Sequence, residues 1–328
     1  MRYREFGDLG WEVGEIGLGC WQIGWCWGDV SDQVARQILK KALDSGINFF
    51  DTSDTYGDGR SERFVAEILK SSSQRIYVTT KLGRRVRGTD YARGYKHEPM
   101  EEFVDRSLKL LGVERIDLLQ MHCPPLDVCA MPATYELLDK LVRKGKIGHY
   151  GISVYNLCEA YEAMKRPNIK SVQLVFNIFR QQPADEFFKV AKSKGVAIIA
   201  RGPLASGLLG GDITAETKFP ENDHRHYNKN GEAFNIGDTF SGVGFENGLK
   251  AVEELKAILP DGYSLSELAL KWILMHDEIT VTIPGAVDAE QVAVNANTSA
   301  LAEISYLKPM IKEIYDQYIK ADVYDKWQ

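Results

Sequence analysis

The sequence lacks the features that mark membrane, secreted and nucleic-acid-binding proteins. No apolar run approaches the roughly 20 residues that a membrane-spanning helix needs, and residues 1–6 contain no apolar signal core. The charges are nearly balanced, since 40 Lys and Arg face 46 Asp and Glu for a net charge of −6. A mildly acidic chain offers no basic surface to nucleic acid or to an anionic membrane. We therefore expect a cytoplasmic protein that binds neither.

Cysteine is also scarce, and its spacing excludes the usual cysteine sites. The five cysteines follow neither a zinc-ligand spacing nor a Cys-x-x-Cys redox pair. Reduced thiols in a reducing compartment explain them better than disulfides do. The other metal candidate, residues 223–226 (DHRH), lies in a polar stretch with no partner ligands in view. We expect no metal site.

Strand and helix patterns alternate along almost the whole chain of 328 residues. A predicted hairpin over residues 2–14 is followed by eight short apolar strands, the first over residues 16–21 and the others near residues 48, 76, 116, 148, 171, 196 and 280. Amphipathic helices separate the strands, such as residues 31–44, where Ser31 is a good N-cap, and further helices follow the last strand. Alternating βα units predict a parallel α/β sheet, and eight of them without a linker predict a closed (β/α)8 barrel. We expect one domain over residues 1–328.

An open, doubly wound sheet is the competing fold. That fold normally places G-x-G-x-x-G directly after its first strand, where the glycines allow a dinucleotide to approach. Residues 17–22 read GLGCWQ at that place and do not match. The pattern therefore favours the barrel.

Four acid–base residues lie at or just beyond the predicted strand ends. Asp51 closes the second strand, and Tyr56 lies in the loop behind it. Lys81 ends the third strand, and His122 ends the fourth. Strand carboxyl ends meet at one face of a barrel, where catalysis takes place. Each residue alone could be a turn cap or a surface side chain, but together they predict an active site.

These residue types suit proton transfer to an oxygen atom. A Tyr hydroxyl with a pKa of about 10 is a poor acid–base catalyst at neutral pH. A neighbouring ammonium favours the phenolate and lowers that pKa, and a carboxylate holds the ammonium in place. An imidazole can hydrogen-bond a carbonyl oxygen on the other side. The protein contains no hydride carrier of its own, so this chemistry requires a cofactor.

The chain resembles the aldo-keto reductase superfamily over essentially its whole length. The matching segments are residues 17–21 (GLGCW), 48–57 (NFFDTSDTYG), 59–62 (GRSE), 80–81 (TK), 117–122 (DLLQMH), 151–153 (GIS), 203–210 (PLASGLLG) and 283–286 (IPGA). The chain is more similar to the bacterial general reductases and the potassium-channel β-subunit branch than to the mammalian aldose reductases. The family plugs the amino-terminal end of its barrel with a hairpin, and residues 2–14 match that hairpin.

The resemblance implies roles for the four residues and a bound nicotinamide dinucleotide. Tyr56 is expected to be the proton donor, Asp51 and Lys81 its tuning pair, and His122 the residue that orients the carbonyl group. The expected cofactor contacts are Ser153 and Gln173 at the carboxamide, Arg201 at the nicotinamide ring, Leu204, Ser206 and Gly207 at the pyrophosphate, and Gly285, Asp288, Gln291 and Asn295 around the adenosine.

Two positions near the nicotinamide depart from the family pattern. Val154 follows the carboxamide serine where Asn is common, so one hydrogen bond is missing unless Asn156 replaces it. Arg201 stands where an aromatic residue often stacks on the nicotinamide. A planar guanidinium can stack too, so function is compatible with this change.

A third departure concerns the choice of cofactor. Relatives that use NADP usually place Lys or Arg after the last strand for the 2′-phosphate, but residues 285–291 contain neither. The charges there are Asp288 and Glu290, and an acidic side chain suits a ribose 2′-hydroxyl. The alternative is that Asp288 only caps the next helix together with Gln291. The family indicates NADP(H) and the residues indicate NAD(H), so both stay open.

The substrate pocket has three aromatic candidates, Trp21, Trp25 and Trp27, which cluster after the first strand. They suit sugars or aromatic carbonyl compounds, and the alternative is that they pack the loop on the barrel rim. The polar stretch 210–244 is long for a structureless loop. We interpret it as a lid over the cofactor, as in the family, with simple mobility as the alternative.

We expect an NAD(P)(H)-dependent oxidoreductase that acts on a small aldehyde or ketone, or on the corresponding alcohol, as a monomer or small homo-oligomer. One alternative is an NAD-dependent sugar or polyol dehydrogenase that works in the oxidative direction, which Asp288 favours. Another is a regulatory, cofactor-sensing barrel with little turnover.

Overall fold

The computed structural model describes residues 1–24, 27–86 and 91–327. Two strands form a hairpin, and eight more form a parallel sheet in which each strand pairs with its neighbours along the chain. The strands are β1 (Tyr3–Glu5), β2 (Glu12–Gly14), β3 (Leu18–Gly19), β4 (Phe49–Asp51), β5 (Tyr77–Leu82), β6 (Ile116–His122), β7 (Ile147–Ser153), β8 (Ile169–Val175), β9 (Ala197–Arg201) and β10 (Ile279–Thr282).

The eight-stranded sheet closes on itself. Gly17 N–H donates to the carbonyl oxygen of Thr282 at 2.8 Å, and Thr282 N–H donates to that of Glu15 at 3.0 Å. Gly19 N–H adds a third bond, at 3.0 Å, to the carbonyl oxygen of Pro284. These bonds join the segment around β3 to the segment around β10. The predicted (β/α)8 barrel is therefore confirmed, with its strands at the eight predicted places.

Helices connect the strands on the outside of the barrel. Ser31 Oγ accepts the Val34 N–H at 3.3 Å and so caps the helix that the sequence predicts there. The helices are α1 (Trp21–Gly24), α2 (Asp32–Asp44), α3 (Arg60–Ser71), α4 (His97–Leu111), α5 (Leu126–Ala130), α6 (Pro132–Arg143), α7 (Leu157–Ala163), α8 (Phe187–Ser193), α9 (His224–Tyr227), α10 (Phe245–Ala257), α11 (Leu265–Leu274), α12 (Ala289–Asn297), α13 (Lys308–Tyr318) and α14 (Lys320–Val323). The last three follow the final strand, as expected. Within the described ranges, no helix combines the length and apolar character that crossing a bilayer requires.

The β1–β2 hairpin closes the amino-terminal end of the barrel. Its turn residue Phe6 is fully buried and stacks on Phe49 of β4 with ring centroids 5.4 Å apart. Trp11 stacks on Tyr77 of β5 at 4.7 Å. Gly7 has φ +57°, and a Cβ there would lie 2.4 Å from the carbonyl oxygen of Gly195, so this turn requires glycine. With this end filled by side chains, the opposite end of the barrel is left to form a site.

The segment after β3 differs from expectation. The sequence predicts a strand over residues 16–21, but the strand ends at Gly19 and Trp21 begins the single helical turn α1. Gly24 ends that turn against the loop after β4, where a Cβ would lie 2.5 Å from Tyr56 Cβ. The chain bends inward because Gly24 permits this close approach. The bend brings Trp21 over the carboxyl ends of the strands.

Candidate active site

The four predicted acid–base residues meet at the carboxyl ends of β4, β5 and β6. Lys81 Nζ forms an ion pair with Asp51 Oδ1 and donates to Tyr56 Oη at 3.3 Å. It also donates to the carbonyl oxygen of Thr52 at 2.9 Å, so its three protons have three acceptors. Lys81 is 1% exposed and Asp51 3%. The rings of Tyr56 and His122 face each other edge to face, with centroids 6.1 Å apart.

Asp51 is held from its other side by two glutamines. Gln173 Nε2 donates to Asp51 Oδ2 at 2.7 Å, and Gln120 Nε2 donates to the same oxygen at 3.3 Å. A buried carboxylate needs such partners, because an uncompensated charge in the interior is costly. The family pattern identifies Gln173 as a site residue, but no motif in the sequence identifies Gln120. The available signal was a single amide in the apolar strand β6, two residues before His122 and so on the same face of the strand.

Burial changes the pKa of the tyrosine in the direction opposite to expectation. The sequence predicts that the neighbouring ammonium lowers the pKa of Tyr56. Burial instead raises the pKa of the hydroxyl, and the charge of Lys81 only partly offsets this effect. Burial also lowers the pKa of Lys81, but the neighbouring Asp51 and Tyr56 more than compensate and its net pKa is raised. Tyr56 is therefore protonated at neutral pH and Lys81 is charged.

His122 is neutral and belongs to a buried hydrogen-bond chain. Burial lowers the pKa of His122 well below its usual value, and the charges of Arg84 and Lys81 lower it further. Its Nδ1 lies 3.2 Å from Ser53 Oγ, which lies 3.2 Å from Asp54 Oδ1. Burial, followed by the charge of Glu62, raises the pKa of Asp54 to about 7. When the Ser53 hydroxyl donates to Nδ1, the proton of the neutral imidazole is on Nε2.

A cavity of about 1010 Å³ opens beside these residues. Asp51, Tyr56 and His122 form part of its wall, whereas Lys81 lies behind them in the barrel. Every residue predicted from the family pattern to contact the cofactor also lines this cavity: Ser153, Gln173, Arg201, Leu204, Ser206, Gly207, Gly285, Asp288, Gln291 and Asn295. The cavity therefore joins three of the four acid–base residues to all predicted cofactor contacts.

Comparison with known proteins agrees with this geometry. The model of the aldo/keto reductase family matches residues 15–314. The chain belongs to the aldo/keto reductase family.

Relatives of this aldo/keto reductase include an uncharacterized oxidoreductase, YqkF, of Bacillus subtilis, which is 30% identical over 92% of this chain and 94% of its own length. A probable voltage-gated potassium channel β-subunit of Arabidopsis thaliana is 25% identical, covering 98% of this chain and 97% of its own. Both the general oxidoreductases and the channel-subunit branch are thus represented, as the resemblance implies.

Two solved structures share the fold. An aldo-keto reductase of Bacillus halodurans, in its holo form, is 29% identical with a TM-score of 0.76 and covers 99% of both chains. A glycerol dehydrogenase of Gluconobacter oxydans is 26% identical with a TM-score of 0.78, covering 99% of this chain and 98% of its own.

Near the predicted nicotinamide position, this aldo/keto reductase has an ion pair that sequence reasoning missed. Arg201 forms a buried ion pair with Asp238, and Tyr155 Oη donates to the same carboxylate at 2.8 Å. Asp238 belongs to the polar stretch 210–244, so neither motif nor spacing connected it with the site. Asn156 does not replace the missing family amide, because its side chain donates to Glu159 at 2.8 Å at the start of α7.

The polar stretch 210–244 forms one wall of the cavity. Its residues Asp212, Arg225, Phe234 and Asp238 are among those that line it. Arg225 Nη1 lies 3.5 Å from the carbonyl oxygen of Ser206 and so brings a cation to the predicted pyrophosphate position. The sequence analysis considered this arginine only as part of a metal motif. Among the described residues, no group of His, Cys, Asp and Glu is arranged to hold a metal ion.

Two of the three predicted tryptophans line the cavity. Trp21 stacks near Tyr56 with ring centroids 6.2 Å apart, and Trp27 contacts His224 at 4.5 Å. Trp21 also contacts His224, at 4.9 Å, so packing of the loop and lining of the pocket both apply. Trp25 lies outside the described residues.

The far end of the cavity is acidic. Asp288 Oδ1 accepts the Gln291 N–H at 2.8 Å and caps α12, and Gln291 Oε1 accepts the Val287 N–H at 3.0 Å. The capping role considered for Asp288 is therefore present. Glu290 and Glu267 line the cavity as well, at the starts of α12 and α11.

Proposed function

We propose that this protein is an NAD(P)(H)-dependent oxidoreductase that transfers hydride between a nicotinamide cofactor and a carbonyl compound or the corresponding alcohol. One observation carries the proposal: the Tyr56 hydroxyl lies 3.3 Å from the buried ammonium of Lys81, beside His122 at the wall of a large cavity. This arrangement supplies a proton donor, a charge that stabilises the phenolate left behind, and a group that can orient an oxygen atom.

In the proposed reaction the cofactor, when bound, supplies or accepts the hydride. His122 Nε2 donates a hydrogen bond to the carbonyl oxygen and holds it near Tyr56. Tyr56 gives its proton to that oxygen, and the ammonium of Lys81 stabilises the resulting phenolate. Asp51 keeps Lys81 charged and in place. In the oxidative direction the same groups work in reverse, with Tyr56 as the proton acceptor.

The cavity wall fits a dinucleotide. Gln173 uses one amide proton on Asp51 and accepts from Ser153 Oγ at 3.3 Å, which leaves a second proton and a lone pair for a carboxamide. Gln22 lines the cavity with a buried Oε1 that has no hydrogen-bond partner among the residues described. Ser206 and Arg225 would hold the pyrophosphate, and Gln291 and Asn295 would lie beside the adenosine.

The charges support NAD(H) as the preferred cofactor. Glu267, Asp288 and Glu290 line the adenosine end of the cavity, and within the described part of the chain no Lys or Arg lines that end. Lys256 passes close to Gly211 nearby, but its ammonium pairs with Glu253 at 2.8 Å. Three carboxylates would repel a 2′-phosphate, whereas they can accept hydrogen bonds from a ribose hydroxyl.

A second candidate function is an NAD-dependent polyol or sugar dehydrogenase that works mainly in the oxidative direction. Two observations favour it: the acidic adenosine end of the cavity and the overall similarity to the Gluconobacter oxydans enzyme named a glycerol dehydrogenase. Steady-state rates with alcohols and NAD⁺, compared with rates for the matching carbonyl compounds and NADH, would decide between the two directions.

Titration with NADH and with NADPH tests the cofactor assignment. Trp21 and Trp27 line the cavity, so quenching of tryptophan fluorescence should report binding. We expect NADH to bind at least about tenfold more tightly, which corresponds to about 1.4 kcal/mol. Asp288→Ser keeps a side chain that can cap α12 and removes the charge. It should therefore reduce the difference in affinity between NADH and NADPH.

Three other outcomes would count against parts of the proposal. Tight binding of NADPH alone would overturn the electrostatic argument for NAD(H). Binding of neither nucleotide would overturn hydride transfer itself. Tight binding with almost no turnover on any carbonyl or alcohol would instead favour the regulatory, cofactor-sensing barrel.

A further inference from the structure

Arg84 lies at the substrate side of the cavity and has no part in the proposed proton transfer. It follows β5 by two residues and lines the cavity. Between strand and arginine, Gly83 has φ +111°, and a Cβ there would lie 2.2 Å from the Tyr95 ring. The turn therefore requires glycine, and it directs the backbone back over the barrel. The guanidinium carbon of Arg84 lies 5.8 Å from the centre of the Tyr155 ring.

Among the described residues, the guanidinium of Arg84 has no hydrogen-bond acceptor. Within residues 1–24, 27–86 and 91–327, no hydrogen bond or ion pair joins Arg84 to another group, and its contact is with the face of Tyr155. Asp238 is the carboxylate within electrostatic reach of Arg84, but it already forms an ion pair with Arg201 and accepts from Tyr155. Arg84 is partly buried at the cavity wall, so its guanidinium can donate hydrogen bonds to a ligand that enters the cavity.

The arginines that line the cavity differ in their ion pairs. Among the described residues, Arg201 pairs with Asp238 and Arg225 with Asp223, whereas Arg84 has no ion-pair partner. Its neighbour Arg85 differs, because it pairs with Asp58 at 2.8 Å. The unmatched charge lies close to the reacting groups, since Arg84 contributes to the low pKa of His122.

Arg84 is also poorly placed to bind the cofactor phosphates. The predicted pyrophosphate contacts follow β9, and Arg225 brings a cation there. Arg84 instead follows β5 and faces Tyr155 just after β7, beside His122 at the end of β6. The charge therefore lies where the part of a substrate beyond its carbonyl group would lie.

We infer that the natural substrate bears a carboxylate, which Arg84 binds while His122 and Tyr56 hold the carbonyl or hydroxyl group. This inference rests on the proposed hydride transfer. A carboxylate fits better than a phosphate because it matches one unpaired cation in charge and the planar guanidinium in shape. The substrate class is thus oxo acids and the corresponding hydroxy acids, with the Tyr155 ring forming a wall beside the carboxylate.

The test compares matched substrates. Oxo acids of two, four and six carbons, namely glyoxylate, 4-oxobutanoate and 6-oxohexanoate, are assayed against uncharged aldehydes of equal length. We expect the best oxo acid to exceed its uncharged partner at least about tenfold in kcat/KM, as a charge-assisted hydrogen bond provides. Arg84→Met should reduce this ratio to about one to three, because it removes the group that binds the carboxylate.

Two further variants serve as controls. Arg84→Lys should keep part of the preference, because it retains the charge but not the planar pair of donors. Arg63→Met removes an exposed arginine on α3 and should leave the preference unchanged. Urea unfolding of each variant shows whether it is folded.

A binding measurement separates this inference from the proposed function. Butanoate should quench tryptophan fluorescence more strongly than butanamide, and Arg84→Met should abolish the difference. If the wild type reduced uncharged aldehydes as well as oxo acids, the inference would fail while hydride transfer stood. If it reduced neither, hydride transfer would fail, and equal binding of butanoate and butanamide would then overturn the carboxylate site as well.

Discussion

The two walls of the cavity are built in different ways. The acid–base wall consists of strand ends, where Asp51 and Lys81 are almost fully buried and held by main-chain and amide partners. The opposite wall, over residues 202–242, contains four non-glycine residues with positive φ: Ala205, Ser206, Phe240 and Ser241. Such backbone is unfavourable unless its surroundings hold it. The comparison indicates that the barrel itself positions the reacting groups, whereas irregular backbone shapes the proposed nucleotide site.

The largest effect is expected at the acid–base wall. Tyr56→Phe removes the proposed proton donor and should lower kcat by about 100- to 10,000-fold. NADH affinity should change by less than about threefold, because the hydroxyl contacts the substrate oxygen and not the nucleotide. Stopped-flow turnover and fluorescence titration on the same sample measure both. A variant that kept most of its kcat would show that Tyr56 is not the proton donor.

The second prediction concerns the pH dependence of stability that Asp54, next to the acid–base wall, contributes. Asp54 has a folded pKa of about 7, above its value in the unfolded chain, so the folded state binds its proton more tightly. Its contribution to the free energy of unfolding is therefore greatest below about pH 4 and is lost as the pH rises toward 7. The loss should be on the order of 2 kcal/mol between pH 5 and pH 8.

Urea unfolding of the wild type and of Asp54→Asn at both pH values measures this contribution. The contributions of other titrating groups, which both proteins share, cancel when the two free energies of unfolding are subtracted. Relative to the wild type, the variant should gain stability between pH 5 and pH 8. The charged and titratable groups around Asp54 are Glu62, Arg85 and Arg106. A difference independent of pH would mean that Asp54 is ionised throughout.

The smallest effect is expected at the opposite wall, over residues 202–242. Ser206 Oγ accepts the Phe240 N–H at 3.0 Å and donates to the carbonyl oxygen of Asp238 at 3.2 Å. Ser206→Ala should loosen this contact between two strained turns and raise the Kd for NADH by about tenfold, or about 1.4 kcal/mol. At saturating NADH, kcat should stay within about twofold. A fall in kcat with unchanged Kd would mean that the two walls are not separate in function.

The sequence predicted the barrel and the four acid–base residues because both depend on local patterns. Eight apolar segments alternate with helices, and a residue at the end of a parallel strand must lie at the carboxyl face whatever the loops do. The same logic failed at residues 16–21, where a strand was expected beyond Gly19. There the backbone turns because Gly24 packs against the loop of Tyr56, a contact that no local pattern encodes.

Some expectations stay predictions. The single domain over residues 1–328, the cytoplasmic location, the monomeric or small homo-oligomeric state and the motion of residues 210–244 as a lid rest on the sequence and the family. The individual roles of the residues lining the cavity are likewise proposals, which the variants above test.

The sequence by itself determined which chemical groups the protein could bring together: an aspartate, a lysine and a histidine at consecutive strand ends and a tyrosine in the loop after the first of them. Tertiary structure decided their electrostatics. Burial raises the pKa of Tyr56 although Lys81 opposes it, because desolvation depends on segments far apart in the chain. It also decided that Asp238, from the polar stretch, pairs with Arg201, so that Arg84 has no ion-pair partner among the described residues. The charge balance of a cavity depends on which segments pack together to form its walls, so it cannot be read from the order of residues alone.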